Sequence, residues 1–271
     1  MNYRPVMNIP PVVKNLIIIN VLFLVATWIM QAQGIDLVEI FGMHYPTSDK
    51  FHFYQVVTHM FMHDPSSITH IFFNMFALWM FGRVLESVWG PRRFLIYYFV
   101  TGLGAVALNT FVSYIEVTHI QNTITAFSNT PSPELLDKFV KGNLPNASAQ
   151  VHDFINSWYD NPTSTAYASE GLNLMKRILQ MKIDIPTIGA SGAVFGVLLA
   201  FGMLFPNTQL MLLFPPIPIK AKYFVIGYGL LELFFGVSGI QVSVAHFAHL
   251  GGMLFGFILI KYWNKNSKHF Y

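Results

Sequence analysis

The chain has 271 residues, of which 54% are hydrophobic and only 11% charged, with a formal charge of +3 and no cysteine. A soluble domain carries roughly 25% charged residues, so this composition excludes a soluble globule, a disordered chain and a nucleic-acid-binding domain, and no disulfide or thiolate chemistry is available. Apolar windows of the length that crosses a bilayer, about 20 residues, recur in chain order. The first runs from Asn15 to Met30, with no small-residue cleavage site after it. The next two cover Ile68–Val88 and Phe94–Tyr114, and a fourth covers Pro186–Phe205. The last two cover Tyr223–Val237 and Val242–Trp263. Between the fourth and fifth, the Pro-rich stretch 210–219 reads as a short interfacial connector rather than a helix.

Basic residues orient the spans. Arg4, Lys14, Arg83, Arg92, Arg93, Lys220, Lys222, Lys261, Lys265 and Lys268 fall on one side if there are six spans, and the opposite short loops offer only Lys50. The expectation is an all-α membrane protein, a six-transmembrane-helix bundle with both termini cytoplasmic. It is a single membrane domain, 1–271, with an extracytoplasmic loop insertion at 115–185. In that insertion Ser132-Pro133-Glu134 reads as a helix start. Its segment 171–183 has apolar residues at helical spacing and is expected to lie on the membrane surface. The first loop, 31–67, is rich in acids and aromatic rings and reads as a compact interfacial segment.

Polar side chains inside spans are costly and need a reason. Span two carries His70 and Asn74 on one helix face, span four Ser191, span five Glu232, and span six His246 and His249. A bland reading exists for each. A serine in an apolar helix bonds its own backbone, histidine and asparagine join helices, and Gly192–Gly196 and Gly252–Gly256 are packing pairs. Shared depth argues against it. In the assigned topology Ser191, His249, His70 and Asn74 all sit roughly 5–10 Å below the outer surface. Ser191 needs a base to become a nucleophile, and His249 is the residue type that serves. The free amides of the helix start after Pro186, with His70 and Asn74, would stabilise an oxyanion. Gly189, Gly192 and Gly252 would allow close approach, and Phe195, a turn beyond Ser191, would stack on a ring from span six. Glu232 is the only intramembrane acid that could approach His249. The reading is a Ser–His dyad whose imidazole is oriented by packing, with no cofactor and no metal.

These residues resemble the rhomboid family of intramembrane serine proteases. Residues 189–196 (GASGAVFG) match its GxSGxxxG segment, and 248–256 (AHLGGMLFG) its AHxxGxxxG segment. His59–His63 followed by His70 and Asn74 match its histidine-rich start of the second span. The resemblance implies Ser191 as nucleophile, and His249 rather than His246 as base. It also implies an oxyanion site from His70 and Asn74, and substrates that are single-span membrane proteins taken from the lipid bilayer. A lateral gate is implied around Tyr223–Gln241. Tyr54-Gln55 stands where many relatives carry Trp-Arg, which puts the anchoring of the first loop in question. A bacterial inner membrane is the expected location, with no nucleic-acid partner and the oligomeric state open. Two other readings stay open on the residues alone. One is a rhomboid-like pseudoprotease that binds clients without cutting them. The other is a transporter or metal protein that uses the histidines, His59 and His63 being four apart.

Overall fold

A break in hydropathy does not always break a helix, and a proline-led apolar run does not always start one. Both effects shape this chain. A computed structural model describes residues 9–211, 216–238 and 245–266. The described residues divide into two compact units. One takes those up to Met43, His52–Thr110 and those from Pro186 on, and the other takes His44–Phe51 and Phe111–Ile185.

In the first unit α1 spans Pro11–Gln31 and opens four residues before the expected window. Pro11 suits a first turn because its φ is fixed and its missing N–H would have had no partner. The cap comes from elsewhere. The Glu86 carboxylate accepts the Val12 N–H at 2.9 Å and the Val13 N–H at 2.8 Å. Helix α2 covers Ile68–Trp89 with a π-helical turn at Leu78–Gly82. A left-handed Gly90, φ 78°, turns the chain into α3, Pro91–Asn129. Helix α3 was expected to end near Tyr114. It continues because residues 115–129 are polar but contain no glycine or proline, and the next breaker is Pro131.

The second unit holds the rest of α3 together with α4 (Pro133–Asn143), α5 (Ala149–Asp160) and α6 (Thr165–Asp184). Ser132 caps α4 by accepting the Leu135 N–H at 3.3 Å, as its sequence suggested. These helices close on their own core of Phe127, Leu136, Val140, Ile155, Trp158 and Met175. The apolar stripe of 171–183 turns into that core through Met175 and Ile178, with Gly171 against Trp158, Phe127 and Leu136. The membrane-surface placement is therefore corrected: stripes on α4 and α5, Leu136/Phe139/Val140 and Ile155/Trp158, give that face a protein partner.

Back in the first unit, α7 is Ser191–Leu204, α8 is Ala221–Ser238 and α9 is His246–Asn266. Helix α7 begins five residues later than expected, because the chain around Thr187 is held in a bridge to the first loop and Ala190 only caps the helix. Thr187 exchanges backbone hydrogen bonds with Met43, at 2.8 and 2.9 Å, and Gly189 takes φ 123°. The described ends of the Pro-rich connector are not helical, as expected, and pair as short strands: β1, Gln209–Met211, runs antiparallel to β2, Pro218–Lys220. Val242, the expected start of span six, lies outside the described residues.

The helices α1, α2, α3 and α8 are long and apolar enough to cross a membrane. Helix α7 is equally apolar but has 14 residues, or roughly 21 Å. Helix α9 has the length and ends in Lys261 and Lys265. Ile18, Leu22, Ile29, Phe72, Phe111 and Leu230 stand exposed on the outer faces, where lipid replaces water. The chain is an all-α integral membrane protein. Its first-unit core includes Leu16, Leu78, Phe94, Val197, Phe201 and Ile260.

Candidate active site

Ser191 is the first residue of α7 rather than a turn inside it. The first ladder bond runs from the Val194 N–H to the Ala190 carbonyl at 3.0 Å. The amides of Ser191, Gly192 and Ala193 therefore lie ahead of the ladder, at the positive end of the helix. The lead-in is pinned by the Gly189 N–H, which donates to the His59 carbonyl at 2.9 Å.

Helix α9 touches α7 backbone to backbone. A Cβ built on Gly252 would land on the Gly192 carbonyl oxygen, and one on Gly192 would meet Ala105 of α3. Only glycine fits at either position. Phe195 shares a helix face with Ser191, and the His249 ring lies flat on it, centroids 4.1 Å apart and planes 5° from parallel. Tyr228 of α8 packs on Phe195 at 4.9 Å. The contacts thus bring the serine face of α7 and the His249 imidazole together. A cavity of about 10 Å³ adjoins Ser191, lined by His59, Gly189, Gly192, Ala245 and Ala248. That is close to the room one water needs.

Glu232 comes closer to His249 than the sequence indicates. Its Oε2 accepts a hydrogen bond from His249 Nδ1 at 2.9 Å and another from His246 Nδ1 at 2.7 Å. Glu232, His246 and His249 are 5%, 5% and 8% exposed. A carboxylate only accepts, so both rings carry a proton on Nδ1, and in a neutral imidazole that makes Nε2 the acceptor. The expectation of an imidazole oriented by packing alone is corrected: a carboxylate orients it too. The signal was the isolated acid in an apolar span. Its 17-residue separation from His249 hid the contact. The Glu232, His246 and His249 ligand atoms lie within 4.8 Å of one another, a set that could hold a metal ion. The 2.7 and 2.9 Å separations are those of hydrogen bonds. Two ligand atoms on a tetrahedral zinc would stand roughly 3.3 Å apart.

His70 reaches the same place from α2. A Cβ on Gly189 would lie 3.3 Å from His70 Nε2 and 3.5 Å from Ser191 Oγ, so the two atoms flank Gly189. Asn74 is buried one turn along, and its Nδ2 donates to the His70 carbonyl at 2.9 Å, tying it to its own helix. His59 and His63 have hydrogen-bond partners of their own, and the His63 ring also packs edge-on to His70, centroids 5.1 Å apart. His59 Nδ1 donates to the Gln55 carbonyl at 2.9 Å. His63 Nε2 meets Asn20 Oδ1 at 2.9 Å, and because Asn20 Nδ2 already donates to the Leu16 carbonyl, its oxygen accepts and Nε2 carries the proton. Burial takes His59 down to about 4, against the carbonyls of Gln55 and Val56 that favour its charged form. Burial pushes His63 down to about 3, with His70 adding to the shift. Gln55, fully buried, accepts the His52 N–H at 3.0 Å and donates to the Ile40 carbonyl at 3.1 Å. It ties two parts of the first loop together.

The family model of the rhomboid domain matches residues 50–119 and 159–265. This chain belongs to the rhomboid family. The match takes in Ser191, His249, His70, Asn74 and Glu232, and in this rhomboid it leaves out 120–158, which hold the end of α3, α4 and most of α5. No curated protein matches the chain.

Proposed function

We propose that this rhomboid is an intramembrane serine endopeptidase that cuts the membrane segments of single-span proteins. The observation that carries the reading is the His249 ring stacked on Phe195, on the helix face that Ser191 begins. Ser191 is the nucleophile and His249 the base. In the first step Ser191 Oγ bonds to the scissile carbonyl carbon as its proton passes to His249 Nε2. The oxyanion lies against the amides ahead of the α7 ladder, with His70 and the second N–H of Asn74 as side-chain donors. His249 then protonates the leaving amine, the C–N bond breaks, and an acyl-Ser191 remains. A water gives a proton to His249 Nε2 as its oxygen bonds to the acyl carbon; the acyl carbon–Oγ bond then breaks as His249 returns that proton to Ser191 Oγ, which frees the new carboxyl terminus. The cavity beside Ser191 supports a place for that water.

The membrane arrangement in this proposal has six spans and both termini in the cytoplasm of a bacterium, with α7 and α9 as the fourth and sixth spans. A substrate helix must unwind to present its carbonyl, so small and helix-breaking residues favour the cut. It enters beside α8, whose outer face is apolar from Tyr223 to Val237.

The test is cleavage of a single-span reporter by purified protein in liposomes, with chelator present throughout. Wild type cleaves, and Ser191→Ala and His249→Ala do not. Cleavage that survives in Ser191→Ala overturns the reading. No cleavage by folded wild type of any single-span reporter points to the client-binding pseudoprotease instead.

A further inference from the structure

We infer that Glu232 is a positioning residue for His249, so that this rhomboid works with a Ser191–His249–Glu232 triad rather than a serine and histidine alone. The inference rests on the proteolytic reading of Ser191 and His249 and assigns that site a third member.

Stacking on Phe195 fixes the plane of the His249 ring but not its rotation within that plane, nor which nitrogen holds the proton. The hydrogen bond from Nδ1 to Glu232 Oε2 fixes both. With the proton held on Nδ1, Nε2 keeps its lone pair and can take the proton of Ser191 Oγ. When it does, the ring becomes an imidazolium whose Nδ1–H already faces a negative oxygen. Glu232 stays ionised throughout. It accepts no proton and forms no bond to substrate. Its effect is electrostatic and geometric.

The surroundings favour this role over a purely structural one. An ionised carboxylate in apolar surroundings is expensive unless it is fully paired. A lone structural acid would be satisfied by His246, which reaches Oε2 from the first turn of α9 at 2.7 Å. Glu232 instead shares that same oxygen with the ring stacked beside Ser191. His246 Nε2 is buried with no hydrogen-bond partner among the described residues, and its Nδ1 is the second donor that keeps the carboxylate paired. Tyr228, one turn before Glu232 on α8, packs on the Phe195 that carries His249. One face of α8 therefore addresses both constraints on the ring.

The experiment measures reporter cleavage and fluorophosphonate labelling of Ser191 in Glu232→Gln and Glu232→Asp, with thermal melting to establish folding. Gln keeps the volume and removes the charge, while Asp keeps the charge and shortens the reach by one methylene. Both are expected to lower kcat by about tenfold to a thousandfold, with KM unchanged and labelling slowed by a similar factor. A structural role would move the melting temperature and the amount of folded protein, not kcat per folded molecule. Should Glu232→Gln fail to fold, Glu232→Asp decides alone, since it retains the pairing with His246. Either folded variant cleaving within twofold of wild type, while Ser191→Ala is inactive, overturns the inference and leaves the proteolytic reading standing. Undiminished cleavage by Ser191→Ala removes both.

Discussion

Gly252 of α9 rests directly on the carbonyl oxygen of Gly192 in α7, with no room for a further heavy atom between them. Three residues before Gly252, His249 is laid on Phe195. The glycine contact therefore sets the distance between the His249 ring and the helix that Ser191 begins. Gly252→Ala forces the two backbones apart. We expect it to destabilise the fold by about 1–3 kcal/mol and to abolish cleavage even where folded protein is recovered. Melting and reporter cleavage measured on the same preparation check this.

Phe195→Ala removes the platform under His249 while leaving Glu232 in contact with the ring. The buried ring is worth about 3 kcal/mol of stability, and kcat is expected to fall at least tenfold. Phe195→Tyr keeps the ring face and should retain most of the activity. A Phe195→Ala protein with full kcat would show that stacking does not hold the base.

Glu86 caps α1 through two amide hydrogen bonds and lies fully inside the fold. Glu86→Gln keeps an acceptor for one of the two amides and loses the charge at the helix start. It should cost about 1–2 kcal/mol, read as a lower melting temperature. Ser191 labelling per folded molecule should not change, because Glu86 touches α1 and not the site.

His59 and His63 make the first loop sensitive to acid. Their folded values, about 4 and about 3, lie below the ordinary 6.5 of an unfolded imidazole. The unfolded chain therefore binds more protons between those limits. Stability is full above pH 6.5 and declines as pH falls toward 4, by up to about 1.4 kcal/mol per pH unit for each ring. Melting temperatures taken from pH 8 to pH 5 should show the loss. His63→Gln, which keeps a donor toward Asn20, should flatten part of it. An unchanged slope in that variant would remove His63 from the account.

Much of this was legible in the sequence because it is local. Ser191 and Phe195 are four apart, so one face had to carry both, and the Ser132-Pro133-Glu134 start of α4 is a one-turn signal. The long apolar windows gave the helices of α1, α2 and α8 within a few residues. What was not legible depends on partners distant in the chain. Glu232 meets His249 only because α8 folds back along α9. The late start of α7 depends on Thr187 pairing with Met43 more than a hundred residues away. The surface-helix reading of 171–183 failed because an apolar stripe does not say whether lipid or protein covers it, and Trp158 and Leu136 supply the cover here.

The central claim is that Ser191 is an activated nucleophile, and it is tested most directly without any substrate. Folded wild-type protein is treated with a fluorophosphonate and the adduct is mapped by peptide mass spectrometry. The account predicts one adduct, on Ser191, that is lost in His249→Ala and slowed in Glu232→Gln. No adduct on folded wild type, or an adduct on Ser191 that forms equally fast without His249, would contradict it.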